Sequence, residues 1–470
     1  MSDYRRGFET LDREIHEPRL PIEGDLPDWL SGTLIRNGPA QFEVGDQDYN
    51  HWFDGHAMLH AFRIEDGTVG YRNRFLETNS RQEALAEGEI VRSEFATDPC
   101  RSLFGRVMSV FNPKPTDNAS INVAQIDDAH VALTETPIPV AFDPETLETA
   151  GVVEYEDDVD APMSTAHPLV EPDTGRTITY LTEFGRQSKY HIAGLPAGSR
   201  SRTLLATLDV DRPRYMHSFG MTEQYVVLTE WPIVVDPLDL LLRGEPFIEN
   251  FEWEPGLGTR VRILRKEDGE EVATCTAEAA FAFHHVNAFE RGDAVVCDVV
   301  TYPDASIIDA LSLDRLRSDE PTPGTGRLRR YRLPLDGGSA SSTVRSDERL
   351  ELPRIHDAAV RGRPHQFVYG VGERGDGTFT DQLVKIDATT GDAQVWREAG
   401  TYPGEPVFVP RPGGAGEEDG AVLSVVLDPA ADRSFLLVLD AASFEERARA
   451  PVPHAIPFGF HGQFVDGAGA

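Results

Sequence analysis

The amino-acid sequence predicts an all-β protein, a β-propeller with degenerate blades, and three observations support this prediction. Many short segments rich in β-branched and aromatic residues are separated by turns such as EDGT and DATTGD. Few segments have a helical pattern. The chain has 470 residues and no rigid internal repeat, and propellers reach this length as one unit. A β-sandwich, or two smaller β domains, is the competing interpretation.

The predicted strands extend from near the N-terminus to near the C-terminus, and Gly, Asp or Pro bounds most of them. Their segments are 32–39, 59–75, 121–153, 176–185, 224–235, 294–304, 326–335, 366–373, 381–396, 421–429 and 434–444. No linker of Pro, Gly and Ser divides them, since the loose stretch 412–420 has the composition of a hairpin loop. We therefore predict one domain, residues 1–470, with an ordered core over about 20–466.

Three segments have a helical pattern. Residues 26–30 (LPDWL) predict one short helical turn, and residues 99–111 and 236–244 are compact and apolar. The two apolar segments are either ordinary packing elements or patches that contact a membrane leaflet. The candidate contact surfaces are Leu103–Phe111 and Leu238–Leu242.

The composition restricts the cellular setting and the partners. The net charge is −35 and only four residues are lysine, which is typical of proteins in concentrated salt, where screening weakens self-repulsion. We predict a high-salt cytoplasm, such as that of a halophilic archaeon; an acidic mesophilic protein with an Arg-rich coding bias is the alternative. Phosphate backbones would repel this chain, so nucleic-acid binding is not expected. No signal-like or membrane-spanning run is present, and we predict a cytoplasmic monomer.

Three cysteines, Cys100, Cys275 and Cys297, have no CxxC spacing and are odd in number. This pattern supports neither a disulfide framework nor a zinc ribbon, and it predicts buried, reduced thiols.

Four histidines lie in separate strand-like settings: His167, His217, His284 and His461. They are 50, 67 and 177 residues apart, so no local motif holds them together. A propeller could do so, because the inner strand of every blade lies beside one axis. Aromatic or apolar neighbours predict buried imidazoles, which need partners, and neutral imidazole binds divalent iron, copper or zinc.

Three glutamates occur in equally distinctive settings: Glu135 in ALTETP, Glu351 in ELPRI and Glu405 in GEPVFVP. A metal-bound histidine usually donates its second ring N–H to a carboxylate, which fixes its tautomer and orientation. Four ligands and three such carboxylates would form a complete metal site. The alternative is a set of hydrogen-bonded structural histidines.

Eight sequence motifs, taken together, resemble the successive signatures of the carotenoid cleavage oxygenases. They occur in that family's order, and the likeness covers essentially the whole chain. Residues 94–123 resemble in particular the branch that contains the animal β-carotene oxygenases and the retinoid isomerase of the eye. The motifs are HWFDGHAMLHAF (51–62), TDNASINV (116–123), ALTETP (132–137), MHSFGMTEQYVVL (216–228), FHHVNAFE (283–290), ELPRI (351–355), GEPVFVPRPG (404–413) and PFGFHGQFV (457–465).

The resemblance implies a seven-bladed β-propeller under a dome of loops and short helices, with one non-haem iron(II) per chain on the axis. It selects His284 over His285, because the family's ligand stands three residues before the asparagine. Ile121 matches a position facing the metal's open coordination site. The implied ligands are His167, His217, His284 and His461, and Glu135, Glu351 and Glu405 would accept hydrogen bonds from the last three of these in that order.

The resemblance also implies an activity. The expected enzyme is a dioxygenase that uses O₂ to cleave a conjugated C=C bond of a carotenoid or apocarotenoid into two carbonyl products. Cleavage of β-carotene to retinal is one such reaction. The partners would be an apolar polyene, which an apolar tunnel aligns, and O₂. Stilbene cleavage and retinoid isomerisation on the same scaffold remain alternatives, as does a propeller that binds without catalysis.

Overall fold

The computed structural model describes residues 4–99, 115–320, 324–375, 379–414 and 416–466. Strands dominate it, and each predicted strand segment contains at least one strand. The strand Thr68–Phe75 shows why the sequence pattern predicts strands. Every second side chain of this strand is buried, as the alternating sequence requires. The sequence patterns did not identify several other strands, among them Ser188–Leu195, Thr259–Arg265 and Ser341–Arg354.

The strands form seven blades around one axis, confirming the predicted all-β propeller. From its outer edge to the axis, blade 1 contains His16–Glu17, Thr68–Phe75, His56–Glu65, Gly32–Gln41 and Gly462–Asp466. In the same direction, blade 2 contains Thr149–Val152, Val140–Phe142, Ala129–Leu133 and Asn122–Ile126. Blade 3 contains Thr203–Val210, Ser188–Leu195, Thr177–Glu183 and Met163–Ser164, with Leu169–Val170 beside the third. Blade 4 contains Gly338–Ser339, Glu271–Ala277, Thr259–Arg265, Tyr225–Glu230 and Gly220–Met221.

Blades 5 and 6 share one long strand, Ser341–Arg354, which bends from the edge of blade 5 to the axis of blade 6. Blade 5 otherwise contains His285–Arg291, Ala294–Thr301 and Gly326–Pro334. Blade 6 otherwise contains Phe367–Gly372, Gln382–Asp387 and Ala393–Trp396. Blade 7 contains Glu23–Gly24, Glu446–Pro451, Arg433–Asp440, Gly420–Asp428, Tyr402–Pro403 and Val407–Pro410. Two small pairs lie outside the blades: Glu43–Val44 with Gln47–Asp48, and Ile233–Val234 with Glu252–Trp253.

The two ends of the chain close the ring. Gly32–Gln41 pairs antiparallel with Gly462–Asp466, and Arg36 lies opposite Gly462 in this register. Blade 1 is therefore built from the beginning and the end of the chain. The organisation as one domain over 1–470 stays a prediction, and this closure supports it.

Short helices and loops form a dome over one end of the axis. The described α-helices are Asn79–Glu87, Pro237–Leu242, Ser306–Ala310, Leu313–Leu316 and Asp357–Val360. The described 3₁₀ helices are Tyr4–Phe8, Trp52–Asp54, Phe247–Asn250, Pro255–Leu257 and Pro429–Ala431. None of the helices in the described ranges is long and apolar enough to cross a membrane.

The three helix predictions have different outcomes. Residues 26–30 form one hydrogen-bonded turn, in which the Leu30 N–H donates to the Pro27 carbonyl at 2.9 Å, and no regular helix. Residues 237–242 do form a helix, capped by the Asp236 side chain, and its Leu238 and Leu242 are 60% and 78% exposed. The predicted helix 99–111, with the surface Leu103–Phe111, falls almost entirely outside the described residues.

Cys275 and Cys297 are buried and free, as predicted, whereas Cys100 lies outside the described residues.

Candidate metal centre and substrate cavity

The structure brings all four predicted histidines to the axis. One ring nitrogen from each of them lies within 4.8 Å of those of the others. Each histidine stands within three residues of the strand at the axis of its blade, so the propeller positions them from segments far apart in sequence. The four residues are His167, His217, His284 and His461.

Three of the histidines contact the three predicted glutamates. In each pair the histidine Nδ1 lies 2.7 Å from a carboxylate oxygen, and a carboxylate can only accept, so Nδ1–H donates. Such bonds fix the ring and its tautomer. The pairs are His217–Glu135, His284–Glu351 and His461–Glu405.

The tautomers imply that a cation belongs at the centre. Because Nδ1 carries the proton in His284 and His461, their Nε2 atoms present lone pairs to each other across 3.1 Å. Nε2 of His167 and Nε2 of His217 are 2.8 Å apart. Burial lowers the pKa of His461 to about 4 and that of His167 well below its ordinary value, so both rings are neutral at pH 7. Neutral imidazoles with converging lone pairs fit a divalent metal ion.

His167 and His285 differ from the other histidines. His167 has no carboxylate contact among the described residues; its backbone N–H donates to the Thr165 hydroxyl at 3.0 Å. His285 points away from the cluster, with Nδ1 2.9 Å from the Ser218 hydroxyl and Nε2 2.8 Å from the Thr229 hydroxyl. Both ring nitrogens of His285 are therefore engaged elsewhere.

Each glutamate has a further donor that the sequence patterns did not reveal. The Tyr215 hydroxyl donates to Glu135 at 3.0 Å, and the Tyr302 hydroxyl donates to Glu351 at 3.0 Å. Tyr215 stands two residues before His217, so the same-face rule for extended chain could have found it. Tyr302 had no comparable signal.

Glu405 is held by two arginines. The Arg36 guanidinium forms a buried ion pair with it, and Arg354 Nη1 lies 3.5 Å away. Burial alone would raise the pKa of Glu405, but the charges of Arg354 and Arg36, with the contact to His461, lower this pKa to about 2. Glu405 is therefore a carboxylate in the native protein.

A cavity adjoins the metal centre, and its empty space, including the open solvent at its mouth, is about 930 Å³. Ile121 lines it together with His217, His284 and His461, and the Ile121 carbonyl accepts a hydrogen bond from the His461 N–H at 3.1 Å. That Ile121 faces an open coordination site of the metal stays a prediction. The remaining wall is mostly aromatic and aliphatic. It includes Trp52, Phe53, Phe283, Ile307, Leu311, Leu316, Val371, Phe379, Phe458 and Phe460.

Ring packing holds the aromatic wall in one arrangement. Trp52 and Phe460 have ring centroids 4.6 Å apart, as do Phe379 and Phe458, and Phe53 meets Phe460 edge to face at 5.2 Å. The Trp52 indole N–H donates to the Phe458 carbonyl at 2.9 Å. The cavity is therefore a preformed apolar space beside the metal centre, the kind of site that binds an apolar ligand.

Three further histidines close in sequence have separate partners. His51 Nε2–H donates to the Ile308 carbonyl at 2.9 Å, His56 Nε2 is 3.1 Å from the Tyr49 hydroxyl, and His60 Nδ1 is 2.8 Å from the Tyr71 hydroxyl. They form no metal-binding group within the described part of the chain.

We expect Glu351→Gln to keep the fold and to lower metal affinity or turnover about 10- to 100-fold, the usual scale for a carboxylate that orients a ligand. Glutamine can still accept from His284 but carries no charge. Metal titration and steady-state kinetics measure the effect. Glu171→Gln is the control. Glu171 forms an ion pair with Lys266 at 2.6 Å and contacts none of the four histidines. Unchanged affinity and rate in Glu351→Gln would refute the orienting role.

Comparison with known proteins gives consistent matches over the full chain. Residues 8–466 match the family described as retinal pigment epithelial membrane protein. The mitochondrial carotenoid-cleaving dioxygenase of Mustela putorius furo is 35% identical, with 94% of this chain and 93% of that protein covered. The beta,beta-carotene 15,15'-dioxygenase of Rattus norvegicus is 33% identical, with 98% and 92% covered.

Two further matches bear on chemistry and fold. The carotenoid isomerooxygenase of Galleria mellonella is 34% identical, with 97% of this chain and 96% of that protein covered. The crystal structure of a cobalt-substituted Synechocystis apocarotenoid oxygenase has a TM-score of 0.88 at 26% identity, with 99% and 98% of the two chains covered.

Proposed function

Because this chain belongs to the family of retinal pigment epithelial membrane protein and the carotenoid cleavage oxygenases, we propose that it is a non-haem iron(II) dioxygenase that cleaves a conjugated C=C bond of a carotenoid or apocarotenoid. The observation that carries this proposal is the set of four converging imidazoles beside an apolar cavity. A metal site alone would fit many reactions, and an apolar cavity alone would fit many ligands. Their contact favours oxidation of a hydrocarbon chain.

The proposed metal ligands are the Nε2 atoms of His167, His217, His284 and His461. Glu135, Glu351 and Glu405 orient three of these rings and partly offset the +2 charge. Iron(II) held there would supply the redox chemistry by which O₂ reacts. Neutral nitrogen ligands, with carboxylates that contact these ligands and not the metal, suit a site that must keep coordination positions open for small molecules.

The protein's own residues would align and shield the substrate. A hydrocarbon chain offers nothing to coordinate, so the aromatic wall must fix which double bond lies beside the metal. Ile121 would narrow the approach to the centre. One alkene and one O₂ give two carbonyl compounds, with both oxygen atoms coming from O₂, so the overall reaction needs no added reductant.

One experiment tests this proposal. Protein purified without O₂ and loaded with iron(II) is exposed to ¹⁸O₂ in the presence of carotenoids, apocarotenals and phenolic stilbenes. We expect aldehydes from a polyene that each carry one ¹⁸O label, and one iron per chain by metal analysis. If only the stilbenes are cleaved, the substrate class is the stilbenes and not the carotenoids. A protein without bound iron that still binds a polyene would be a non-catalytic binding module.

Isomerisation is the second candidate, because a relative named carotenoid isomerooxygenase is 34% identical over almost the entire chain. The same product analysis separates the two. A Z-configured product without ¹⁸O indicates isomerisation, whereas labelled aldehydes indicate cleavage, and both together indicate a combined reaction.

We also propose the setting in which the enzyme works. It would act as a monomer in the cytoplasm and contact a membrane leaflet, where carotenoids are found, through the apolar surface at Leu238–Leu242. The exposure of Leu238 and Leu242 supports this contact, since it leaves two apolar side chains of this helix available to the leaflet.

We expect the protein to unfold in dilute buffer and to be stabilised by salt. Its net charge is −35, and the excess acidic side chains repel one another. Raising the salt from about 0.1 M to 1 M shortens the screening length from about 10 Å to 3 Å. The thermal midpoint in KCl should therefore rise over this range, with sucrose at matched viscosity as the control. An equal or lower midpoint at high salt would contradict adaptation to a halophilic cytoplasm.

A further inference from the structure

A second cavity lies between blades 1 and 7, and we call it the junction cavity. Its empty space, including the open solvent at its mouth, is about 450 Å³. Within the described part of the chain, neither a metal-centre histidine nor a carboxylate lines it, and its polar wall residues are Arg36, Asn37 and His60. It shares three wall residues with the substrate cavity, Gly404, Phe458 and Gly459. The junction cavity therefore borders the substrate cavity but has a different chemistry.

The strand register directs the side chains of Arg36 and His60 to the same cavity. The two residues lie directly opposite each other on neighbouring strands of blade 1, and such residues share a face of the sheet. This face is turned to blade 7, because Arg36 forms its buried ion pair with Glu405 there. Asn37 points the other way, since its side-chain amide donates to the Ala119 carbonyl at 2.8 Å. Arg36 and His60 are therefore the side chains that present polar atoms to the junction cavity.

A chain of hydrogen bonds determines which nitrogen of His60 carries a proton. Burial lowers the pKa of His60 to about 3 and that of His454 to about 4, so both rings are neutral. The Tyr71 hydroxyl, with one proton to donate, lies 2.8 Å from His60 Nδ1 and 3.0 Å from His454 Nε2. His454 Nδ1 is buried without a partner among the described residues, and a buried, unpaired N–H is rarer than an unpaired acceptor. His454 therefore donates from Nε2 to Tyr71, Tyr71 donates to His60 Nδ1, and the His60 proton is on Nε2.

The junction cavity combines unpaired donors with a surplus of positive charge. Nε2–H of His60 has no partner in the described ranges, and Arg36 uses two of its five N–H groups, on Glu405 and on the Phe460 carbonyl. Arg36 and His60 are 5% and 4% exposed, so unpaired donors there are costly. Arg354 also lies 3.5 Å from Glu405, so two guanidinium groups share one carboxylate. An anion would accept from both donors and balance the surplus charge.

We propose that the junction cavity binds a chloride-sized monovalent anion between the Arg36 guanidinium and the Nε2–H of His60. A single-atom acceptor fits, because the donors come from two side chains on adjacent strands. Arg36 belongs to blade 1 and its partner Glu405 to blade 7, so an anion that fixes Arg36 stabilises the contact between the two blades. This binding site does not depend on the proposed activity.

Bromide tests the position of the site, because it replaces chloride and scatters X-rays anomalously. Crystals of the iron-loaded wild-type protein are soaked in KBr. We expect an anomalous peak in the junction cavity, in hydrogen-bond contact with the Arg36 guanidinium and with His60 Nε2. Bromide peaks at surface arginines only, or ordered water alone in the junction cavity, would overturn the proposal.

Anion exchange in solution tests the contribution of the site to stability. Mixtures of KCl and potassium gluconate at one total concentration keep screening constant, while the larger gluconate does not fit the site. The thermal midpoint of the wild type should rise with chloride relative to that of His60→Leu, which lacks the donor. The expected rise is about 1 °C for each tenfold increase above half-saturation, as linkage at one site gives for a chain of this length.

His56→Leu is the matched control. His56 lies in the same strand as His60, is fully buried and contacts the Tyr49 hydroxyl at 3.1 Å, but it does not line the junction cavity. This variant should lose stability and keep the full chloride-dependent rise. Parallel chloride curves for the wild type, His56→Leu and His60→Leu would contradict the proposal. If His60→Leu does not fold, the bromide position in the wild-type crystals decides.

Discussion

Replacing His284 with alanine is expected to reduce both bound iron and cleavage to background. The loss should exceed the roughly 100-fold effect of altering an orienting carboxylate, because a ligand itself is removed. Without His284, Glu351 also loses the imidazole from which it accepts a hydrogen bond at 2.7 Å. Metal analysis and product formation, measured on protein shown by circular dichroism to be folded, give the result.

The neighbouring His285 provides a matched control. It has the same residue type and is partly buried, but its ring contacts the hydroxyls of Ser218 and Thr229. His285→Ala should lose some stability and keep its iron. Equal iron loss in both variants would show that His284 acts through folding rather than as a ligand.

Arg36→Met is expected to cause the largest loss of stability, about 3–5 kcal/mol, which is typical when one partner of a buried ion pair is removed. Arg36 is 5% exposed and Glu405 is fully buried. The substitution also removes the bond that Arg36 donates to the Phe460 carbonyl at 2.7 Å. The free energy of unfolding from denaturant titration measures the effect, and metal analysis reports whether His461 stays oriented.

Arg74→Met is the control for this prediction. Arg74 pairs with Glu148 at 3.1 Å on the surface, where an ion pair contributes less than about 1 kcal/mol. The double variant Arg36→Met/Glu405→Gln removes both buried charges and should recover part of the lost stability. A loss no larger than that of Arg74→Met would show that Arg354 alone is sufficient to balance Glu405.

The metal centre was largely predictable because the residues that form it stand in recognisable local sequence contexts. Buried histidines among apolar or aromatic residues, and glutamates one or two residues before a proline, are visible in the sequence, and the family resemblance supplied the pairing. Arg36 was not predictable in the same way. It contacts Glu405 across 369 residues, and only the closure of the ring brings blades 1 and 7 together.

Strands were more predictable than helices for a physical reason. Alternation marks a half-buried strand, whereas the helix Asn79–Glu87 buries only Ser80 and Ala84 and has no apolar stripe. Its ends are defined instead by the Thr78 side chain, which accepts from the Arg81 N–H, and by Gly88 at φ 71°. The ion pair of Glu373 with Arg349 was missed because it depends on strand register, which the sequence pattern does not specify.

The fourth imidazole is the last part of the metal centre to be synthesised. His461 immediately precedes Gly462–Asp466, the strand that closes blade 1 against Gly32–Gln41. A nascent chain carries the other three imidazoles, and Glu405, before the fourth imidazole exists. The strand Gly462–Asp466 thus closes blade 1 and brings the fourth histidine to the axis in one event, so a chain cut before His461 would lose both together. Metal retention can therefore report whether blade 1 has closed.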